Sequence, residues 1–166
     1  IGEGAFANCK TITSIVIPKG ITKIEDSTFM NCEALTSVTI PNTVTSIGSG
    51  AFSSCKSLPS IAIPNTVTNI GKSAFSSCST LKSFTFPDNN SITSIENDTF
   101  LGAGLTSITI PNTVKSIGDG ALAGCSALKS VTLKGGTPPS INIKDWYGTF
   151  SDTELNVIYV PANSVE

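Results

Sequence analysis

Self-similarity constrains this chain more than any other feature. Ile1, Ile24, Ile47, Ile70, Ile95, Ile117 and Ile141 open successive units separated by 23, 23, 23, 25, 22 and 24 residues, and a fixed period of that length is the mark of a stacked repeat architecture. Five positions after each opening Ile comes a ring: Phe6, Phe29, Phe52, Phe75 and Phe100, then Leu122 in the sixth unit, with Trp146 falling there in the divergent seventh. Three further on stand Cys9, Cys32, Cys55, Cys78 and Cys125, with Ala103 in the fifth unit. Leu35, Leu58, Leu81, Leu105 and Leu128 follow, and then an apolar-x-apolar pair such as Val38 and Ile40 or Ile108 and Ile110. Pro18, Pro41, Pro64, Pro87 and Pro111 close the run, where a residue without an N–H ends a strand and turns the chain toward a second apolar site at Ile21, Val44, Val67, Ile92 or Val114.

A unit this short cannot bury its own apolar face, so the units must stack and share one core. In Ser37-Val38-Thr39-Ile40 strand alternation turns Val38 and Ile40 inward and Ser37 and Thr39 outward. Equivalent strands then pair in parallel at about 4.8 Å, and seven units extend about 30 Å. The two extra residues of the fourth unit fall at Asp88-Asn89-Asn90-Ser91, in loop-like sequence where solenoids accept insertions. A helical solenoid fits badly, because the apolar spacing has no sustained helical period and Pro, Ser, Thr and Gly punctuate every unit. At most a short turn or 3₁₀ segment fits around Gly50-Ala51-Phe52-Ser53-Ser54-Cys55.

These residues resemble the BspA-like, or Treponema-type, leucine-rich repeats. The units IGSGAFSSCKSLPSIAIPNTVTN and IEDSTFMNCEALTSVTIPNTVTS carry the resemblance, which spans essentially the whole chain. It implies a leucine-rich-repeat solenoid with one short strand per repeat in a parallel sheet, turns or 3₁₀ segments opposite, and a right-handed, gently curved stack. The expected units are 1–23, 24–46, 47–69, 70–94, 95–116 and 117–140, with a divergent unit at 141–166. Departures are local: Ala103-Gly104 replaces the Cys region of the fifth unit, and Lys134 stands where the sixth expects proline. Asn42, Asn65 and Asn112 sit one place early for the asparagine ladder of ordinary leucine-rich repeats. Thr137-Pro138-Pro139 and Val157-Ile158-Tyr159-Val160-Pro161 resemble the family's characteristic ending, beyond which its members continue, so both ends are expected to be truncated. The resemblance further implies a secreted or surface-anchored microbial protein whose repeats mediate adhesion.

Chemistry is scarce. The chain has no His, and every cation is Lys. No basic cluster supports nucleic-acid binding, and no apolar run approaches the ~20 residues of a membrane span. Five thiols in equivalent positions have parallel side-chain vectors that suit a bridge poorly, so they are expected to be buried small hydrophobes rather than disulfides, a metal site or a nucleophile. Without His, the many Ser and Thr hydroxyls lack the usual activating base, and their repetition argues for scaffold over catalysis. No enzyme activity and no cofactor is expected. Glu3, Asp26 and Asp119 share a position, with Glu25, Glu96 and Asp98 nearby, but Lys72, Ser49 and Asn97 interrupt the row; a solvated edge is expected rather than a calcium site.

The outward strand positions remain. Ser14, Ser37, Ser60, Ser83, Ser107 and Ser130 form one column, and Val16, Thr39, Ala62, Thr85, Thr109 and Thr132 another. Ser37, Thr39, Ser60, Ser83, Thr85, Ser107, Thr109, Ser130 and Thr132 make up the candidate binding face. It holds none of the Tyr, Trp or Arg anchors that dominate tight interfaces, so modest repeated contacts are expected. Trp146 and Tyr147 either cap the stack, whose open end must be covered, or form a partner-binding spot. The expected function is a monomeric, non-enzymatic adhesion module contacting surface proteins or glycans of host or neighbouring cells. A passive spacer is the first alternative, and a hydroxyl ladder that binds ice or an ordered polysaccharide the second.

Overall fold

The computed structural model describes residues 1–87, 91–141 and 148–161. It is a parallel β-solenoid of stacked turns, each contributing two short strands. The longer strands are β1 (Ser14–Val16), β3 (Ser37–Thr39), β5 (Ser60–Ala62), β7 (Ser83–Thr85), β9 (Ser107–Ile110), β11 (Ser130–Leu133) and β13 (Val157–Tyr159). A second ladder, absent from the sequence expectation of one strand per repeat, runs through β2 (Lys23–Ile24), β4 (Ser46–Ile47), β6 (Asn69–Ile70), β8 (Ser94–Ile95), β10 (Ser116–Ile117) and β12 (Ser140–Ile141). Its strands are two residues long, too short to leave an alternation in the sequence. The opening isoleucines Ile24, Ile47, Ile70, Ile95 and Ile117 are their buried residues.

Register is kept by equivalence: Ser14 faces Ser37, Ser60 faces Ser83, Ser107 faces Ser130, and Ile24, Ile47 and Ile70 line up across β2, β4 and β6. The ladder of longer strands is divided into β1-β3, β5-β7 and β9-β11-β13. A cause of the first division is Pro59. Thr36, Lys82, Thr106 and Lys129 each donate a backbone N–H to the preceding turn just before the strand, and Pro59 occupies that place without an N–H. The prolines after the strands act as expected: Val44 and Val67 donate to the carbonyls of Pro41 and Pro64 at 3.0 Å, turning the chain toward the second apolar site.

The remaining wall is a run of turns with no helix among the described residues. Every second N–H there reaches the next unit: Gly4, Phe6 and Asn8 donate to the carbonyls of Asp26, Thr28 and Met30 at 2.9, 2.9 and 2.7 Å. The N–H groups between them close local turns, as Ala7 does onto Gly4 at 2.9 Å. That alternation needs a left-handed residue two places before and two places after each ring. Gly4, Ser27, Gly50, Ser73, Asp98 and Gly120 fill the first place, and Asn8, Asn31, Ser54, Ser77, Gly102 and Gly124 the second. Left-handed backbone costs an ordinary L-residue roughly 1–2 kcal/mol, and here the hydrogen bonds between turns hold it.

Inside this wall the rings stack. Phe6–Phe29, Phe29–Phe52, Phe52–Phe75 and Phe75–Phe100 have centroids 5.5, 5.3, 5.6 and 5.8 Å apart and planes within 17°, each pair adding about 0.5–1.5 kcal/mol beyond its buried area. The seventh unit corrects one sequence reading. The N–H of Leu122 donates to the Thr149 carbonyl at 3.0 Å, as Phe29 does to Ala51 and Phe100 to Ala121, so Phe150 takes the ring position that spacing alone assigned to Trp146. The reason is that Ile141 and its ring are nine residues apart there instead of five; hydrogen-bond register, not count, places the ring. Trp146 and Tyr147 lie outside the described residues.

Candidate functional site

The two walls of the solenoid use their polar groups differently, and that difference locates the candidate site. On the turn wall the thiols are free and, apart from half-buried Cys9, fully buried. They do more than fill space: Cys32, Cys55, Cys78 and Cys125 each donate to the carbonyl of the ring residue one unit earlier, Phe6, Phe29, Phe52 and Phe100, at 3.1, 3.3, 3.1 and 3.0 Å. Removal from water pushes the Cys78 thiol up to about 12 and Cys125 up to about 11, and raises Cys32 and Cys55 as well. The thiolate is the reactive form, so these residues are inert.

Part of the acidic edge is engaged in the scaffold as well. Asp26 accepts the Ser49 N–H at 2.8 Å, Asn97 accepts the Asp119 N–H at 3.2 Å, and Ser94 donates to Glu96 at 2.6 Å. Glu25 pairs with Lys23 at 2.7 Å. Among the described residues no group of three or more acids or thiols is placed to hold a metal, and no helix is long and apolar enough to cross a membrane.

Loop hydroxyls tie turn to turn in the same way. Thr36 and Thr45 donate to the carbonyls of Thr13 and Thr22 one unit back at 2.9 and 3.1 Å, and Thr43 and Thr66 to those of Ile21 and Val44, both at 2.7 Å. The strand columns behave otherwise. Parallel register brings Ser37, Ser60, Ser83, Ser107 and Ser130 into one row and Thr39, Thr85, Thr109 and Thr132 into the other. All are exposed except Ser130 and Thr132, which are half-buried. Among the described residues no side-chain hydrogen bond engages any of these nine hydroxyls, so their capacity faces solvent unspent.

The face also holds an aromatic residue that the sequence reading missed. Pairing of β11 with β13 sets Val157 beside Ser130 and Tyr159 beside Thr132, and Tyr159 is 57% exposed. The signal was present: Ile158-x-Val160-Pro161 repeats the pattern of Val38-x-Ile40-Pro41, which extends the columns one strand further. At the other end Val16, 73% exposed, occupies the threonine column. The face is therefore a hydroxyl field with a Tyr at one margin and a Val at the other.

The family model described as BspA type leucine rich repeat region matches in six copies over residues 1–129 and 93–166. The chain belongs to the BspA-type leucine-rich repeat family. Among solved structures, this BspA-type chain is similar to the T. pallidum leucine rich repeat protein TpLRR, at 28% identity and TM-score 0.55, over 80% of this chain and 51% of that one. It is similar to the pneumococcal vaccine antigen PcpA at 28% identity and TM-score 0.67, over 74% and 30%. A leucine rich cell surface protein from Faecalibacterium prausnitzii shares the fold at 23% identity and TM-score 0.52, over 94% and 62%. The BspA-type chain thus spans between about a third and two thirds of these relatives. No curated protein matches it.

Proposed function

We propose that this chain is a non-enzymatic interaction module of a bacterial surface or secreted protein, an adhesion segment that offers its strand face to proteins or glycans of host or neighbouring cells. One observation carries the reading: in a molecule where buried thiols and many loop hydroxyls are spent between turns, the strand columns keep theirs free. The names of the relatives, a cell surface protein and a vaccine antigen, support a surface location. β3, β7, β9 and β11 each supply two small hydroxyl contacts and β5 one, so affinity accrues along the stack and from copies held on one surface. Tyr159 adds the kind of anchor that dominates interfaces.

The test is an array of matrix proteins and glycans probed with the chain and with a Thr39→Lys/Ser60→Lys/Ser107→Lys variant, alongside a Thr36→Lys/Thr68→Lys variant on the loops. Saturable binding lost with the first variant and kept with the second is expected. Binding that survives the first variant, or no saturable binding across the array, removes the face as the site.

A further inference from the structure

The periodicity breaks on the rim of the strand face between the fourth and sixth turns, and a cleft of about 290 Å³ opens there. Its lining includes Phe86 and Pro87 after β7, Pro111, Asn112 and Thr113 after β9, and Lys134 after β11. Three irregularities meet in it. Both inward positions of the fourth unit, Phe84 in β7 and Phe86 just after it, carry Phe instead of an aliphatic residue. Phe84 turns onto Phe75 and Phe100, at centroid distances of 5.3 and 4.8 Å, and Phe86 onto Phe84 at 5.0 Å. Lys134 replaces the proline of this row, its N–H still bonded to the Ile110 carbonyl at 2.9 Å. Gly135 packs so closely that a Cβ there would lie 3.3 Å from the Cα of Asn112, which sets Lys134 alongside the cleft.

Thr113 is the third. Its equivalents Thr43 and Thr66 donate to the preceding turn, whereas the Thr113 hydroxyl oxygen is buried and makes no hydrogen bond. A buried unsatisfied hydroxyl is costly, and this one belongs to a residue lining a cavity.

We propose that this cleft binds one uronate residue of an acidic polysaccharide. Lys134 receives the carboxylate, the exposed Asn112 amide bonds a ring hydroxyl, and Thr113, half-buried with its hydroxyl oxygen sealed in the unliganded chain, rotates about χ1 to bring that hydroxyl to a second one; Pro87 and Pro111, backed by Phe86, give the apolar wall on which a sugar face rests. Charge favours an acidic ligand: Lys134 is exposed and in no ion pair among the described residues, Lys115 lies close by with its ammonium donating to the Asn112 carbonyl at 3.1 Å, and no described lining residue is acidic. Size favours a single ring, since the cavity lies near the lower end of ligand clefts, roughly 300–1,000 Å³. The cleft shares Thr85 and Thr109 with the threonine column, but Asn112, Thr113 and Lys134, which make the polar contacts, stand off the columns.

Titration of ¹⁵N-labelled protein with glucuronic and galacturonic acid, with glucose and acetate as controls, tests the proposal. A uronate is expected to shift the amides of Thr109, Asn112, Thr113 and Lys134 saturably, with glucose and acetate leaving them in place. Lys134→Gln should weaken uronate binding about tenfold, the scale of one charge-assisted hydrogen bond. Thr113→Val should weaken it severalfold while leaving the melting temperature unchanged or higher, because the lost hydroxyl had no partner. Acetate shifting the same amides equally, binding unaffected by Lys134→Gln, or no saturable shift with either uronate would overturn it; none of these would touch the strand-face reading.

Discussion

The turn wall and the strand wall are built from the same repeats yet hold opposite chemistry. The turn wall has the reactive residue types, thiols and acids, and all but Cys9 of the thiols are sealed, protonated and bonded to the ring carbonyls of neighbouring turns. The strand wall has the blandest residues, Ser and Thr, and they are unencumbered. Reactivity of a residue type is therefore a poor guide to function in a solenoid. What matters is which polar groups the stacking has not already used.

The largest test of that contrast removes a ring from the stack. Phe52→Ala should destabilise by about 3–5 kcal/mol in a denaturant titration, whereas Ser60→Ala, Ser83→Ala and Thr85→Val on the strand wall should each stay within about 0.5 kcal/mol. Comparable losses on both walls would erase the distinction. Alkali gives the next effect. The folded protein holds Cys78 and Cys125 at about 12 and about 11 against an ordinary 9.0, so the unfolded chain releases these protons first and binds fewer of them. Stability is then fully present below pH 9 and falls as pH rises above it, by roughly 1.4 kcal/mol per unit for each buried thiol. The loss continues until about pH 11 for Cys125 and about 12 for Cys78, and Cys78→Ala should flatten the measured slope.

A smaller difference separates two threonines of the same repeat position. Thr66→Val should cost about 1 kcal/mol, since its hydroxyl is bonded to the Val44 carbonyl, while Thr113→Val should cost nothing, and thermal denaturation of the pair checks it. Smallest of all, Ser54→Gly and Ser77→Gly should gain a few tenths to about 1 kcal/mol by relieving left-handed backbone at φ 58°, on the turn wall alone.

Periodicity made most of the fold legible. Ring, thiol, leucine and proline columns recur at fixed offsets, and the stack places them where the offsets say. Three features escaped for physical reasons. The second ladder is built of residue pairs such as Lys23–Ile24, in which period two has no room to show. The left-handed places were disguised, because Ser27 and Ser73 stand where Gly50 and Gly120 carry the familiar signal. The seventh ring was mislaid because counting from Ile141 ignores the longer segment before Phe150, which hydrogen bonding resolves. In the site, the hydroxyl columns were readable from alternation, and Tyr159 could have been found from the Pro161 that ends its strand. The orphaned Thr113 could not, since a missing bond exists only between turns.

Mass-spectrometric counting of alkylated thiols in the folded protein at pH 8 tests the shared, sealed core most directly. One rapid adduct at Cys9 is predicted, with Cys32, Cys55, Cys78 and Cys125 labelled no faster than the protein unfolds. Four or five adducts formed at the rate of Cys9, with circular dichroism unchanged, would contradict it.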